Sequence, residues 1–219
     1  MKSIILGKNA APYCLIQAVD EQDAALLQKE HDLIKKYTGK EILLAAFQVG
    51  DWNKDLSPWE AEPVFGEEPF GKDAKKTLSY IAENLIPSLK ENGLAVEETK
   101  FIIGGYSLAA LFSLWVVYQT DFFFGCAAAS PSVWFPDWIS YAEKNKIKTK
   151  HVYLSLGDKE EKTKNPVMKT VADCIRRQEE LLQADPDVSC VLEWNKGNHF
   201  KEPEVRTAKG FAEIINRNV

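Results

Sequence analysis

Hydrophobic residues make up 45% and charged residues 27% of the 219 residues, and the formal net charge is −5. This length suits one α/β domain with a well-filled core, so we expect a single domain over residues 1–219. An acidic chain without a run of basic residues lacks the charge needed to neutralise nucleic-acid phosphates or an anionic bilayer. We therefore expect neither nucleic acid nor a membrane as a partner.

The cysteines and the start of the chain indicate the compartment. Cys14, Cys126, Cys174 and Cys190 are widely separated, without the close C-x-x-C spacing of metal or redox sites, and predict reduced thiols. Residues 1–6 contain only three consecutive apolar residues, which is far short of a signal-peptide core, and no apolar run reaches the length of a membrane span. We expect a cytoplasmic protein.

Six apolar runs along the chain have the length and composition of β-strands. Most of them are apolar without interruption, as strands buried on both faces must be. The predicted strands are residues 12–19, 41–47, 100–104, 124–129, 151–156 and 189–194.

Helical patterns alternate with these strands. Apolar stripes at helical spacing cover residues 74–89 and 167–182, Asn165 before Pro166 predicts a helix start, and Gly39 predicts a left-handed C-cap. Repeated strand and helix segments predict a mostly parallel central sheet with helices on both faces.

Residues 50–71 interrupt this alternation directly after a predicted strand, with the sequence GDWNKDLSPWEAEPVFGEEPFG. Loops of this length are uncommon and tend to be functional, and the carboxyl ends of parallel strands form the ligand crevice. We expect this loop to overhang the site, although a plain surface excursion is the alternative. Trp52, Trp134 and Phe135 lie on loops that follow strands and are predicted to contact substrate.

The strongest chemical signal is the segment GGYSLAA at residues 104–110, between a predicted strand and a helix that is apolar nearly all round. A nucleophile elbow needs this sharp strand-to-helix turn, with small residues beside the serine. The pattern is G-x-S-x-A, with Ala109 where a second glycine usually stands. Ser107 is the predicted nucleophile, and a serine N-cap on an ordinary helix is the alternative.

A serine nucleophile needs a base, and the elbow order along the chain is serine, acid, histidine. Of the three histidines, His31 is predicted to pack on an early helix, and His151 precedes the expected acid. His199 follows the last predicted strand and is the predicted base. The acid is expected in the loop after residues 151–156, where Asp158, Glu160 and Glu161 compete.

These motifs resemble the esterase family of α/β hydrolases that includes enterochelin esterases, feruloyl and acetylxylan esterases, and S-formylglutathione hydrolase. The resemblance runs from about residue 12 to the last helix. Its matching pieces are the G-Y-S-L turn at Ser107, the S-P-S-x-W stretch at residues 130–134, residues 157–160 and residues 197–199. The spacing of the family implies Glu160 as the acid, with Asp158 as the alternative.

The resemblance also implies an oxyanion hole of two backbone amides. One is the amide of Leu108, directly after the nucleophile, and the other belongs to Val19 or Asp20, after the first long strand. The family also has a polar loop like residues 52–58, although this chain lacks the arginine that usually precedes the aspartate, here Asp55.

The sequence as a whole therefore predicts an α/β-hydrolase fold without a separate cap domain, and a serine esterase that acts on a small-molecule carboxylic ester. An open site favours short acyl chains, and no metal or organic cofactor is expected. The alternatives are a thioesterase or acyltransferase with the same three residues, and a binding protein that kept the fold without activity. A nucleotide-binding domain is disfavoured, because the G-x-G-x-x-G turn is missing.

Overall fold

A seven-stranded sheet runs through the computed structural model, which describes residues 1–217. The strands are β1 (Lys2–Gly7), β2 (Tyr13–Ala18), β3 (Leu43–Gln48), β4 (Lys100–Tyr106), β5 (Gly125–Ala129), β6 (His151–Gly157) and β7 (Ser189–Asn195). Their order in the sheet is β1-β3-β2-β4-β5-β6-β7. All neighbouring strands are parallel except β1, which pairs with β3 in the antiparallel sense.

All six predicted strands are present in this sheet, whereas the sequence did not predict β1. This strand lies at the edge of the sheet, and its burial is only partial. Short edge strands carry a weak apolar signal because one side faces water. The short apolar run at the start of the chain, Ile4, Ile5 and Leu6, lies in this strand and pairs with the outer edge of β3.

Within residues 1–217, eight α-helices connect or follow the strands. They are α1 (Glu21–Thr38), α2 (Trp52–Asp55), α3 (Ala74–Tyr80), α4 (Ile86–Glu91), α5 (Ser107–Gln119), α6 (Trp138–Lys144), α7 (Val171–Gln183) and α8 (Pro203–Asn216). A π-helical turn, Ile81–Leu85, joins α3 to α4, so the predicted helix over 74–89 is one continuous unit. Pro87 lies just beyond this turn and lacks the amide that an α-helical ladder would use there.

The helices cover both faces of the sheet. On one face α1 and α8 pack their apolar stripes against a cluster that includes Leu15, Leu44 and Ile102, with Leu27 and Phe211 supplied by the helices. The other face carries α3, α4, α5, α6 and α7, whose buried apolar side chains belong to the larger core cluster. The nearly uniform burial of α5 agrees with its apolar sequence, since eleven of its residues are buried.

Helix ends follow the local sequence. Gly39 adopts a left-handed conformation, φ 65°, and its amide donates to the Lys35 carbonyl, as the C-cap prediction requires. The Asn165 side chain accepts hydrogen bonds from the Val167 and Met168 amides, and a 3₁₀ turn, Met168–Thr170, leads from there into α7. The predicted start at Asn165 is therefore a capped 3₁₀ turn that precedes the α-helix.

The long loop 50–71 is anchored by an aromatic cluster, which we define as Trp59, Phe65, Phe70, Trp134 and Phe135. Its rings contact one another at centroid distances of 5.0–6.2 Å. The loop therefore packs over the segment that follows β5.

The loop also has polar anchors. Trp59 donates its indole N–H to the Pro136 carbonyl at 3.0 Å, and Asn165 donates to the Val64 carbonyl. The Asp55 carboxylate accepts from the amides of Gly50 and Asp51, each at 3.0 Å, and thereby holds the turn at the start of the loop.

The arrangement is an α/β-hydrolase fold: a mostly parallel sheet with helices on both faces and, within residues 1–217, no separate cap domain. Residues 218–219 of the predicted single domain lie outside the described residues. No helix in the described part of the chain combines the length and apolar character of a membrane span. Nor do the described residues bring together three His, Cys, Asp or Glu side chains in an arrangement suited to a metal ion.

Candidate active site

Ser107 lies at the junction of β4 and α5, with no residue between the strand and the helix. Its backbone has a φ of 57°, a left-handed conformation that non-glycine residues seldom adopt. The turn is tight enough that a Cβ at Gly105 would lie 3.0 Å from the Cβ of Ala109. Because residue 105 is glycine, the Cβ of Ala109 fits into this turn, where the usual motif has a second glycine.

The imidazole of His199 lies between the Ser107 hydroxyl and the Glu160 carboxylate. His199 Nε2 is 3.0 Å from Ser107 Oγ, and His199 Nδ1 is 2.7 Å from Glu160 Oε2. An ionised carboxylate only accepts hydrogen bonds, so the ring proton is assigned to Nδ1, and Nε2 is free to accept the serine proton. The three side chains form one continuous chain of hydrogen bonds.

Glu160 is held by a set of donors on its other oxygen. Oε1 accepts from the Gly157 amide at 2.7 Å, from Ser130 Oγ at 2.8 Å and from Arg206 Nη1 at 2.8 Å. The side chain is only 4% exposed. Burial alone raises the pKa of the Glu160 carboxyl, but the hydrogen bonds from His199, Ser130 and Gly157 outweigh it and lower the pKa below its usual value.

The other two acids of this loop do not contact His199. Asp158 is exposed, and its Oδ1 accepts a hydrogen bond from the Gly197 amide at 2.8 Å. Asp158 therefore fastens the loop of the acid to the loop of the histidine. Glu161 is exposed and lies on the solvent side of the turn.

The remaining histidines lie elsewhere. His31 is buried on α1, where its Nδ1 is 3.3 Å from Asp32 Oδ1. His151 lies at the start of β6, opposite the end that carries the acid, and its ring contacts Phe124 at 4.7 Å.

The backbone amides proposed for an oxyanion hole differ in their availability. The Leu108 amide belongs to the first turn of α5, where N–H groups have no intrahelical partner. The Val19 amide donates to the Phe47 carbonyl at 2.9 Å, so it is already used in the sheet. Asp20 is the N-cap of α1, and its side chain accepts from the Asp23 amide. Of the two alternatives, the Asp20 amide is therefore the one to consider.

The S-P-S-x-W stretch touches both ends of the hydrogen-bond chain. The Ser132 amide donates to the Ser107 carbonyl at 3.1 Å, and the two serine hydroxyl oxygens are 3.4 Å apart. Ser130 has a φ of 45° and donates its hydroxyl to Glu160. Sequence reasoning selected this stretch by resemblance and assigned Ser130 no role.

The predicted substrate contacts are placed unevenly. Phe135 is 2% exposed and packs in the aromatic cluster, so it lies behind the surface that a substrate reaches. Trp134 is 8% exposed and contacts Phe65 and Phe70. Trp52 begins α2, is half-buried and packs against the main core.

Sequence reasoning also missed Arg206. It lies in the first turns of α8, a helix whose neighbouring residues Ala208 and Phe211 face the sheet. An arginine on the buried face of an amphipathic helix is itself a signal, because such a charge needs a partner. The partner is in a loop that is distant in the sequence, so the helix alone does not reveal it.

The fold and the site define the class of protein: an α/β-hydrolase fold with a serine, a histidine and a glutamate hydrogen-bonded at the carboxyl edge of its parallel strands. No protein-family model matches the chain, and no curated protein matches it in sequence.

Among the solved structures that resemble the chain are hydrolases of the group to which the sequence pointed. An IroE-like serine hydrolase from Shewanella oneidensis has a TM-score of 0.79 and 13% identity, over 99% of this chain and 76% of that chain. The siderophore hydrolase EstB from Aspergillus nidulans has a TM-score of 0.72 and 17% identity, over 94% and 82%. An S-formylglutathione hydrolase from Agrobacterium tumefaciens has a TM-score of 0.66 and 10% identity, over 98% and 89%. At these identities the likeness establishes a shared fold.

We predict that Gly157→Ala pushes the loop that carries Glu160 away from the loop that carries His199. A Cβ at this position would overlap the Gly197 carbonyl oxygen and lie 2.9 Å from Glu160 Oε1 and 3.0 Å from Arg206 Nη1. The variant should lose about 1–3 kcal/mol in its free energy of unfolding, measured with urea, as overpacked sites do.

Gly50→Ala is the matched control, because its new Cβ meets only Asp55 Oδ2 at 3.6 Å. If Gly157→Ala is as stable as the control, the close approach of the two loops is wrong.

Proposed function

We propose that this protein is a serine hydrolase that cleaves a carboxylic ester. The observation that carries the proposal is the continuous chain of hydrogen bonds from Ser107 Oγ through His199 to Glu160. A serine hydroxyl becomes an effective nucleophile only when a base accepts its proton, and a third group must hold that base in the correct tautomer. The positions of the three side chains meet both needs.

In the proposed mechanism His199 Nε2 takes the proton of Ser107 as Oγ attacks the ester carbonyl. The resulting imidazolium then gives this proton to the leaving alcohol, and an acyl group remains on Ser107. A water molecule, deprotonated by His199, hydrolyses the acyl-enzyme and restores the serine. Glu160 keeps its negative charge throughout and stabilises the imidazolium.

The oxyanion formed in each step is assigned to the amides of Leu108 and Asp20. Fixed donors of this kind are worth about 2.7–4 kcal/mol each in the transition state. The Leu108 amide is adjacent to the nucleophile by sequence, and the Asp20 amide follows the strand next to β4 in the sheet.

We further propose that the substrate is a small-molecule ester with a short acyl chain. The resembling structures are described as siderophore hydrolases and an S-formylglutathione hydrolase, which supports a small ester. In the segment whose Ser132 contacts Ser107, Val133 and Phe135 are 0% and 2% exposed and belong to the packed core. This side of Ser107 is filled, so a long chain has no buried channel there. Trp134 and Trp52 are the side chains assigned to substrate contact.

Covalent labelling tests the nucleophile. A fluorophosphonate probe should modify the folded protein at Ser107, because only an activated serine reacts readily. Ser107→Ala should abolish labelling, whereas the control Ser88→Ala, on the exposed surface of α4, should label like the wild type. The adduct is located by peptide mass spectrometry. If folded wild-type protein stays unlabelled, the hydrolase proposal gives way to a binding protein with this fold.

Kinetics of loop variants test the acid. Glu160→Gln should lower kcat by as much as about 10⁴, as in the serine-protease example, because the histidine loses the group that fixes its tautomer. Asp158→Asn and Glu161→Gln are the matched controls and should lose less than about tenfold, since exposed charges contribute little. Circular dichroism checks that each variant is folded. If Asp158→Asn is the variant that loses activity, Asp158 is the acid. If all three variants stay active, Ser107 and His199 work without an acid from this loop.

Chain-length preference tests the substrate class. The kcat/KM for p-nitrophenyl esters should be highest for acetyl or butyryl groups and should fall as the acyl chain lengthens, because the surface beside Ser107 is closed by packed side chains. Coenzyme A thioesters of the same acyl groups form the parallel series. Faster hydrolysis of long-chain esters would contradict the filled surface, and a strong preference for the thioesters would make the protein a thioesterase.

A further inference from the structure

Arg206 is a fully buried charge that the mechanism above does not use. It lies on α8, and its side chain is 3% exposed. A buried guanidinium is stabilised only when its donors are matched by acceptors, especially by an opposite charge. The identity of those acceptors therefore shows what this residue does.

One nitrogen of Arg206 faces the acid. Nη1 is 2.8 Å from Glu160 Oε1, 3.2 Å from Ser130 Oγ and 3.0 Å from the Tyr106 hydroxyl. Glu160 therefore lies between two partners, with Arg206 on Oε1 and His199 on Oε2.

The other nitrogen of Arg206 faces the loop that carries the base. Nη2 donates to the Asn198 carbonyl at 2.9 Å and to the Lys196 carbonyl at 3.4 Å. Tyr106 adds a second connection, because its hydroxyl accepts from Arg206 and donates to the His199 carbonyl at 2.6 Å. One guanidinium thus holds the acid, the loop of the base and the residue before the nucleophile.

We propose that Arg206 is a positioning residue for the reaction, which fixes Glu160 and the His199 loop and whose positive charge opposes proton uptake by the Glu160–His199 pair. This inference depends on the proposed function for its kinetic consequence. Its electrostatic part concerns the pair itself and holds whatever the substrate is. Whether the proton goes to Glu160 or to His199, the positive charge of Arg206, 2.8 Å from Glu160, opposes its uptake.

The other groups around the pair do not replace this charge. Burial, followed by the charge of Glu160, raises the pKa of Tyr106 to about 12, so its hydroxyl is neutral. The other charged side chains of the two loops are exposed, and their effect is screened by solvent. They are Asp158, Lys159, Glu161, Lys162, Lys196, Lys201 and Glu202.

A second group of acidic residues lies near Tyr106. Asp23, Glu30 and Glu204 line a small cavity together with Tyr106. Burial raises the pKa of Glu30 to about 8 and that of Asp23 to about 6, and Glu204 is paired with Lys29 at 2.7 Å. None of these groups changes in the variants below, so they form a constant background.

The test is the pH dependence of kcat/KM for Arg206→Met and Arg206→Lys. With the cation removed, the pair takes up a proton more readily, and the acid limb of Arg206→Met should shift to higher pH by about one unit or more. At pH values below its shifted acid limb, Arg206→Met should have a kcat/KM at least about tenfold lower than wild type, and this loss should disappear at alkaline pH. Arg206→Lys keeps the charge without the planar fork, so its kcat should fall while the limb stays in place.

Lys209→Met is the matched control on the same helix. Lys209 also pairs with a glutamate, Glu193 at 2.5 Å, but neither side chain contacts Ser107, His199 or Glu160. Its pH profile should coincide with that of wild type. If Arg206→Met loses activity equally at every pH, Arg206 only supports the structure and the inference is overturned.

An NMR titration makes the result independent of the substrate. The ring signals of His199, assigned with His31→Gln and His151→Gln, should titrate at a higher midpoint in Arg206→Met than in wild type, and an unchanged midpoint overturns the inference. Inactive wild-type protein with a shifted midpoint would reject the ester hydrolase and retain Arg206 as the charge partner. If Arg206→Met does not fold, Arg206→Lys decides: an unchanged midpoint supports the proposal, and a shift comparable to a lost charge contradicts it.

Discussion

Much of the site depends on how the protein accommodates the buried carboxylate of Glu160. A carboxylate that is 4% exposed has lost nearly all of its hydration, which costs several kcal/mol unless the protein supplies equivalent partners. The Gly157 amide, the Ser130 hydroxyl and the Arg206 guanidinium satisfy Oε1, so Oε2 is left to the imidazole alone. The partners of Oε1 stabilise the ionised carboxylate, and Oε2 orients the histidine.

This arrangement imposes demands on distant parts of the chain. The helix α8 has to place Arg206 beneath two loops, and its own stripe of apolar residues against the sheet fixes that placement. Gly157 has to lack a side chain because a Cβ there would meet the Gly197 carbonyl, Glu160 and Arg206. Ser130 has to adopt a left-handed backbone, φ 45°, to direct its hydroxyl at Glu160. The packing of the fold therefore determines the electrostatics of the site.

The residues that sequence reasoning identified are those with a local signature. Ser107 follows from a strand, a tight turn and an apolar helix that are contiguous, and His199 from the position of the last strand. Glu160 needed the family spacing, since its two acidic neighbours look equivalent along the chain. Arg206 acts through contacts 46 residues away, which no local pattern contains. For the same reason the sequence did not show that the Val19 amide is already hydrogen-bonded, because its acceptor, the Phe47 carbonyl, lies in β3.

Two non-glycine residues with positive φ lie at the two ends of the hydrogen-bond chain: Ser107 is its first member, and Ser130 donates to Glu160. Each such conformation costs on the order of 1–3 kcal/mol and persists only when its surroundings determine it. The Ser132 amide holds the Ser107 carbonyl, and the Ser130 amide holds the Ser155 carbonyl at 2.9 Å. Both strained residues are thus tied to neighbouring backbone without a ligand. Ser107, the proposed nucleophile, is therefore held in one backbone conformation by the protein itself, and electrostatic catalysis is most effective in such preorganised sites.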